Sequence, residues 1–312
     1  MKFSVSSSAT ALIANDTREQ IEAFCEVGIK HIDFGFTTSY YNPDHKPCDD
    51  ETFVFLTDLA KETAKKNNVD FPMAHAPYLW NSNASEENFS LQVRDVSRAI
   101  KGCKMLGIDR ITVHGGNAFC SSHDELIDKN IAYFRALLPA AEEYGVTLMI
   151  ENISELIYGQ KFAIQTAEDI LQVRQGLNNH PLIRACWDTG HANLAPCDQY
   201  ENLMLLGENV FALHMHDNLG NTDSHMPPLM GTVNFDDVIK ALKDIKYSGP
   251  FNFESKLFRA GYEWPNYTRD YNKTADSEKL LWVPDRTLVM SGLILMRRIG
   301  EYMFNKYGIE FE

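Results

Sequence analysis

Apolar residues fall along the chain in two rhythms. Short runs rich in β-branched and aromatic residues recur at Lys2–Ser6, His31–Phe36, Asp70–Ala74, Arg110–His114, Val146–Glu151, Ile183–Asp188, Val210–His216 and Pro250–Glu254, and each predicts a buried strand. Between them apolar positions recur at helical spacing. Ile21, Phe24 and Cys25 share a stripe in Asp16–Val27, and Ile127, Ile131, Phe134, Leu137, Leu138 and Ala141 share one in Asp124–Tyr144. Phe235–Ile245 opens after Asn234, a good N-cap, with Asp236 and Asp237 in its first turn. Eight strands, each followed by a helix, predict an α/β fold. A doubly wound sheet would share this alternation; the eight units and the placement of polar residues described below favour a (β/α)8 barrel. Two stretches interrupt the rhythm. Thr37–Asp49 is a long polar loop after the second strand. Ser255–Asp285 precedes the last helix and carries Phe258, Tyr262, Trp264, Tyr267 and Tyr271. Loops of that length are usually functional or linkers, and the second is expected to cover the barrel mouth or form a subunit contact. Residues 1–312 are expected to form one barrel domain.

Length agrees, since a single α/β barrel of roughly 250 residues with extensions fits a chain of 312. The 29 Lys and Arg stand against 43 Asp and Glu, for a net charge of −14. That balance argues against a polyanion as habitual partner, because phosphate-backbone affinity comes from Lys and Arg. The six cysteines form no CxxC pair and are read as reduced thiols of a cytosolic protein. The start, MKFSVSSSATALI, lacks the apolar core of a signal peptide. The apolar run Leu288–Met296 ends at Arg297-Arg298, far short of the ~20 residues that span a bilayer, so no membrane association is expected.

Polar residues gather at the C-terminal ends of the predicted strands: His75, His114, Glu151, Asp188 with His191 three residues on, His214 and His216, Asp223 and His225 in the following loop, and Glu254. In a barrel these ends share one mouth. Any single strand-end Glu or Asp is more often a salt-bridged or capping group, but acidic or imidazole residues at six successive strand ends, the third to the eighth, are not a chance pattern. Carboxylates and neutral imidazoles are ligands for divalent metals. Glu151, Asp188, His214 and Glu254 supply three carboxylates and one imidazole, a set suited to one Mn²⁺, Co²⁺ or Mg²⁺. Adding His75, His114, His191, Asp223 and His225 would allow more metals, and then zinc fits. His216 is expected to turn away from His214 and play a structural part. Asp217 and Asn218 are as ready to shape the loop as to touch a ligand. His31, His45, His123 and His180 are read as surface or packing residues, and Phe36, Trp80 and Trp264 as candidate apolar walls.

At IEN (150–152), WDTGH (187–191), HMHDN…DxHxPP…G (214–231) and FES (253–255) the chain resembles the xylose isomerase-like TIM-barrel superfamily over roughly residues 1–255. The resemblance implies metal ligands at Glu151, Asp188, His214 and Glu254, with His191 close to the substrate. It implies sugar or sugar-phosphate isomerase or epimerase chemistry, in which a proton beside a carbonyl is removed through an enediolate. Glu151 and Glu254 are the candidate acid/base pair. His75, His114, His191, His225 and Lys256 are candidate substrate contacts, and Asp223 a candidate ligand of a further metal. The superfamily's AP endonucleases imply another use, with zinc ions on His75, His114, Glu151, Asp188, His191, His214, Asp223, His225 and Glu254. Charge ranks carbohydrate above DNA: Thr37–Asp49 carries one Lys and Ala76–Glu86 none, so no nucleic acid is expected as partner. Ketose 3-epimerases of the superfamily typically carry an Arg after the strand-7 histidine, and Leu219–Gly231 has none. A non-catalytic sugar- or metal-binding barrel, and a decarboxylase or dehydratase, use the same site. Barrels of this superfamily often associate, so a homo-oligomer stays open.

Overall fold

The computed structural model describes residues 1–36, 40, 47–78, 85–115, 120–158, 162–195, 197–257 and 284–310. Eight parallel strands, β1 (Phe3–Ser6), β2 (His31–Gly35), β3 (Asp70–His75), β4 (Arg110–His114), β5 (Thr147–Glu151), β6 (Ile183–Asp188), β7 (Val210–His214) and β8 (Phe251–Phe253), pair in the order β7-β6-β5-β4-β3-β2-β1-β8. The ring closes where Met215 bridges Phe253 in parallel: its amide donates to the Asn252 carbonyl at 2.8 Å and its carbonyl accepts from the Glu254 amide at 3.2 Å. The helices are α1 (Thr17–Glu26), α2 (Asp50–Asn67), α3 (Glu86–Leu106), α4 (His123–Tyr144), α5 (Glu155–Tyr158), α6 (Ala167–Gly176), α7 (Thr189–Leu194), α8 (Gln199–Leu206), α9 (Phe235–Asp244) and α10 (Arg286–Tyr307). This is a (β/α)8 TIM barrel, as the alternation predicts.

Helix starts follow local chemistry. Asp16, Asp49, Ser85, Ser122, Thr166, Asp198, Asn234 and Asp285 each accept, through the side chain, from the backbone N–H three residues on, satisfying a donor the helix itself leaves open. Ile21 and Phe24 of α1, and Ile127, Phe134, Leu137 and Ala141 of α4, are buried in the layer between strands and helices. The strands end close to expectation, with one consequential difference: β7 stops at His214, two residues early.

The long polar loop after β2 falls mostly outside the described residues, as does most of Ser255–Asp285 with its aromatics and Trp264; Trp80 lies outside them too. Phe36 is described, and it is no wall of the mouth. It is buried between Phe34 at 5.0 Å and Phe53, on which it stacks at 5.9 Å, because the strand turns it outward onto α2 and α3, where Gly102 leaves it room. All six cysteines are free thiols, and no helix among the described residues is long and apolar enough to cross a membrane. Phe36→Ala is expected to cost about 3–5 kcal/mol of stability, as large-to-small core changes do, and to leave ligand binding at the mouth unchanged. Urea unfolding beside a binding titration checks both; a normal midpoint with weakened binding would restore Phe36 to the site.

Candidate metal centre

Inside the barrel each strand presents every second side chain, and polarity changes with height. Met73, Met149, Cys186 and Ala212 form a small, fully buried apolar cluster. Two residues further along the same strands stand His75, Glu151, Asp188 and His214, and His114 stands two beyond Thr112. The closed barrel therefore places an apolar plug beneath a ring of metal-ligand side chains.

Glu151, Asp188, His214 and Glu254 come together, each with a ligand atom within 4.8 Å of the others. His214 Nδ1 lies 2.7 Å from Glu151 Oε1 and 3.2 Å from Glu254 Oε2. Glu151, Asp188 and His214 are wholly buried, whereas Glu254 keeps some exposure at the mouth. Burial pushes the Asp188 carboxyl up to about 7 despite His191, and the nearby Glu151 and Glu254 add to the rise. Burial also works against ionised Glu151 and Glu254, but His214 and His114 hold the first, and His214 and His225 the second, well below the usual carboxylate range. Asp188 Oδ2 has no hydrogen-bond partner. Three carboxylates crowded in a dry pocket, one of them with an orphaned oxygen, fit a divalent cation, which would offset their repulsion and satisfy that oxygen.

Among the described residues His75 also comes together with His214 and Glu254, and two further groups flank these. His114 Nε2 lies 2.9 Å from Glu151 Oε2 and 3.1 Å from His75 Nε2, while His75 Nδ1 donates to the Ala76 carbonyl at 2.8 Å. On the other side stand His191, His216, Asp223 and His225. The structure thus gathers the sequence-derived ligand and contact residues at one mouth. Lys256 reaches the same rim through its backbone, where its amide donates to the His225 carbonyl at 2.8 Å.

The expectation that His216 turns away from His214 is wrong. Residues two apart on an extended chain share a face, and His216, wholly buried, points Nε2 at Asp188 Oδ1, 3.1 Å away. Asp217 and Asn218 shape the loop. Asp217 accepts from the amides of Asn218, Gly231 and Val233, and Asn218 Nδ2 donates to the Gly190 carbonyl at 2.8 Å. His123 and His180 make isolated pairs with Asp169 and Glu142. His31 pairs with Asp70, and His45 lies outside the described residues.

Two residues of the centre escaped the strand-end rule. Asp33, buried mid-strand on β2, faces His214 Nε2 at 3.6 Å and accepts from Asn252 Nδ2 at 3.2 Å. The signal was present as a lone carboxylate inside an apolar strand. Asn152 accepts from the Asp188 amide at 2.7 Å, donates to the Asp188 carbonyl at 3.0 Å, and offers its own carbonyl to His191 Nδ1 at 2.9 Å. It clamps the end of β6 and orients both neighbouring ligands.

The family described as a xylose isomerase-like TIM barrel matches residues 21–273. An uncharacterized protein of Methanocaldococcus jannaschii, MJ1311, is 28% identical over 220 residues, covering 67% of this chain and 74% of that protein. A probable endonuclease 4 of Acholeplasma laidlawii is 22% identical over 221 residues, covering 66% and 74%. Among solved structures, a D-tagatose 3-epimerase-like protein superposes with a TM-score of 0.65 at 25% identity, covering 82% of this chain and 91% of its own.

Replacing Asn152 with Ala removes both side-chain bonds to Asp188 and leaves a buried amide unpaired. The expected loss is about 3 kcal/mol, read by denaturant unfolding; a loss under about 1 kcal/mol would show that the clamp does not hold β5 to β6.

Proposed function

The chain belongs to the xylose isomerase-like TIM-barrel family, and on that premise we propose that it is a divalent-metal-dependent sugar or sugar-phosphate isomerase or epimerase. One observation carries the reading: Glu151, Asp188, His214 and Glu254, from four different strands, converge at the barrel mouth with two carboxylates beside a single imidazole. The likeness to a D-tagatose 3-epimerase-like protein supports the choice of substrate class.

Glu151, Asp188, His214 and Glu254 would hold one Mn²⁺, Co²⁺ or Mg²⁺, which when bound stabilises the negative charge a sugar oxygen gains as the neighbouring C–H proton leaves. The rest of the work falls to the chain itself. Glu151 and Glu254 stand on strands three places apart in the ring, so a planar sugar carbon between them meets a carboxylate on each face. One takes the proton and the other, itself protonated, delivers its own to the opposite face, which inverts the centre; return by the same carboxylate to the adjacent carbon, with the hydroxyl proton passing between the two neighbouring oxygens, exchanges aldose for ketose. His191, held by Asn152 and wholly within the rim, and His75 and His114 offer hydrogen bonds to sugar hydroxyls. Asp33 fixes the ring of His214 from below. The apolar layer of Met73, Met149, Cys186 and Ala212 keeps water from entering beneath the reacting carbon.

A second reading has a specific observation behind it. The groups His75–His114–Glu151 and His191–His216–Asp223–His225 flank the first, and one relative is a probable endonuclease 4. A multi-zinc phosphodiesterase acting on abasic DNA would use these together with the first. The excess of acidic residues, 43 against 29 basic, disfavours it.

Glu151→Gln is expected to lower turnover by about 10²–10⁴-fold, the usual contribution of a positioned acid or base, with the circular dichroism unchanged. The assay is solvent-deuterium incorporation into a panel of ketoses and aldoses. Near-normal exchange in this variant would remove Glu151 from its role. Chelation should abolish the same exchange, and Mn²⁺, Co²⁺ or Mg²⁺ should restore it. Cleavage of an abasic-site oligonucleotide in the absence of any sugar exchange would decide for the hydrolase.

A further inference from the structure

The loop after β7 doubles back on itself. The Asp217 amide donates to the Met226 carbonyl at 2.7 Å, and the Met226 amide donates to the Asp217 carbonyl at 2.9 Å. Asp217 Oδ2 accepts from the Gly231 amide at 2.8 Å, and the Asn218 carbonyl from the Thr232 amide at 2.9 Å. Gly231 permits this approach, since a Cβ there would come within 2.3 Å of the Asn218 carbonyl oxygen. Leu219 and Met230, the neighbours of Asn218 and Gly231, are thereby carried on adjoining segments, and they are 62% and 48% exposed.

Between those segments the chain turns at residues 227–230. The Met230 amide donates to the Pro227 carbonyl at 3.3 Å, and Leu229 holds a φ of 73°. Proline at the second position and positive φ at the third is the type II pattern, whose third position belongs to glycine. A leucine there is strained. Its side chain is 44% exposed, so packing within the chain returns little for that strain. The other non-glycine residues at positive φ among those described have local reasons. Three are Asn, which tolerates it, Lys246 follows the end of α9, and His225 is tied to the Glu254 carbonyl.

Strain held beside a site points to a task at that site. Leu229 stands four residues beyond His225, whose Nδ1 donates to the Glu254 carbonyl at 2.8 Å, so the turn belongs to the rim of the mouth. Residues 218–232 include no Lys or Arg, and a phosphate would find no cationic partner on this loop. Three side chains also fall far short of the ~800 Å² that each partner gives to a stable protein interface. They suffice for one ring or a short alkyl chain.

Resting on the sugar reading of the Glu151 group, we infer that the substrate is a glycoside with an uncharged, apolar aglycone, which Leu219, Leu229 and Met230 hold at the rim while the sugar enters the mouth. The aglycone supplies the burial that Leu229 lacks in the chain alone. A phenyl group held this way should tighten binding by roughly 10–100-fold.

The test is calorimetric titration of the full chain with methyl and phenyl glycosides of a panel of hexoses and pentoses. The phenyl glycoside of the preferred sugar is expected to bind roughly 10–100-fold more tightly than its methyl counterpart. That ratio should fall towards one in Leu229→Gly and in Met230→Ala. The thermal midpoint of Leu229→Gly should equal or exceed that of the unaltered protein, because glycine relieves the turn. No phenyl preference in any pair overturns the inference. So does a midpoint several degrees lower in Leu229→Gly, which would give the leucine to the fold, and so does an oligomer that dissociates in this variant, which would give it to a second copy. Should Leu229→Gly fail to fold, that too assigns the leucine to the fold. The titration requires no turnover. A phenyl preference without isotope exchange in any sugar upholds the aglycone contact and rejects the proposed reaction, and exchange without the preference does the reverse.

Discussion

The two-residue alternation of an extended chain, once closed into a ring, is the constraint on which the centre depends. A β-strand cannot present consecutive side chains to the same face. Met149 and Glu151, Cys186 and Asp188, Ala212 and His214 must therefore point the same way at two heights. Parallel pairing sets those heights in register across strands, so His114 stands opposite Glu151, and Asp188 opposite His214. The lower layer is apolar on β3, β5, β6 and β7, and the one carboxylate at that height, Asp33 beside Met73, is met by Asn252. The upper layer can be charged because it faces an open end. The boundary between Met149 and Glu151 is the floor of the site.

Holding that many ionisable groups in one dry place requires an exact hydrogen-bond scaffold, and the backbone supplies most of it. Carbonyls of Ala76, Asn152 and Glu254 take the Nδ1 protons of His75, His191 and His225. Each bond removes a tautomeric choice and aims Nε2 inward. Asn152 does for strands what a cap does for helices: where the β5–β6 ladder stops, its amide pairs with both backbone groups of Asp188. Gly190 contributes by absence, since only a residue without Cβ lets the His216 ring lie over α7.

Much of this was legible in the chain. The run LMIEN read as a strand ending in a carboxylate, and WDTGH as a strand ending in a carboxylate followed by an imidazole; the fold places both as read. Asn234 was legible as a cap because capping is decided by the few residues that follow it. Phe36 stayed ambiguous because an aromatic at a strand end looks the same whether it faces the mouth or the helices, and only its packing against Phe53 and beside Gly102 settles which. Asp33 was passed over because it sits within its strand and not at its end. His216 was misplaced by a wrong count of the alternation, since residues two apart on a strand share a face.

The sequence by itself determined the eight βα units, the helix starts, and which residue types stand at each strand end, because these rest on periodicity and on contacts a few residues long. Only the tertiary structure decided that, among the described residues, donors from β3 through β8 form four overlapping groups and not one. It alone decided that Asn152 and Asp33 hold them, and that the loop after β7 folds back over them. Those outcomes depend on the closure and stagger of the barrel. Both are set by packing between residues far apart in the chain, as when Ser4 Oγ donates to Asn252 Oδ1, 248 positions away, at 2.9 Å, and no local pattern encodes them.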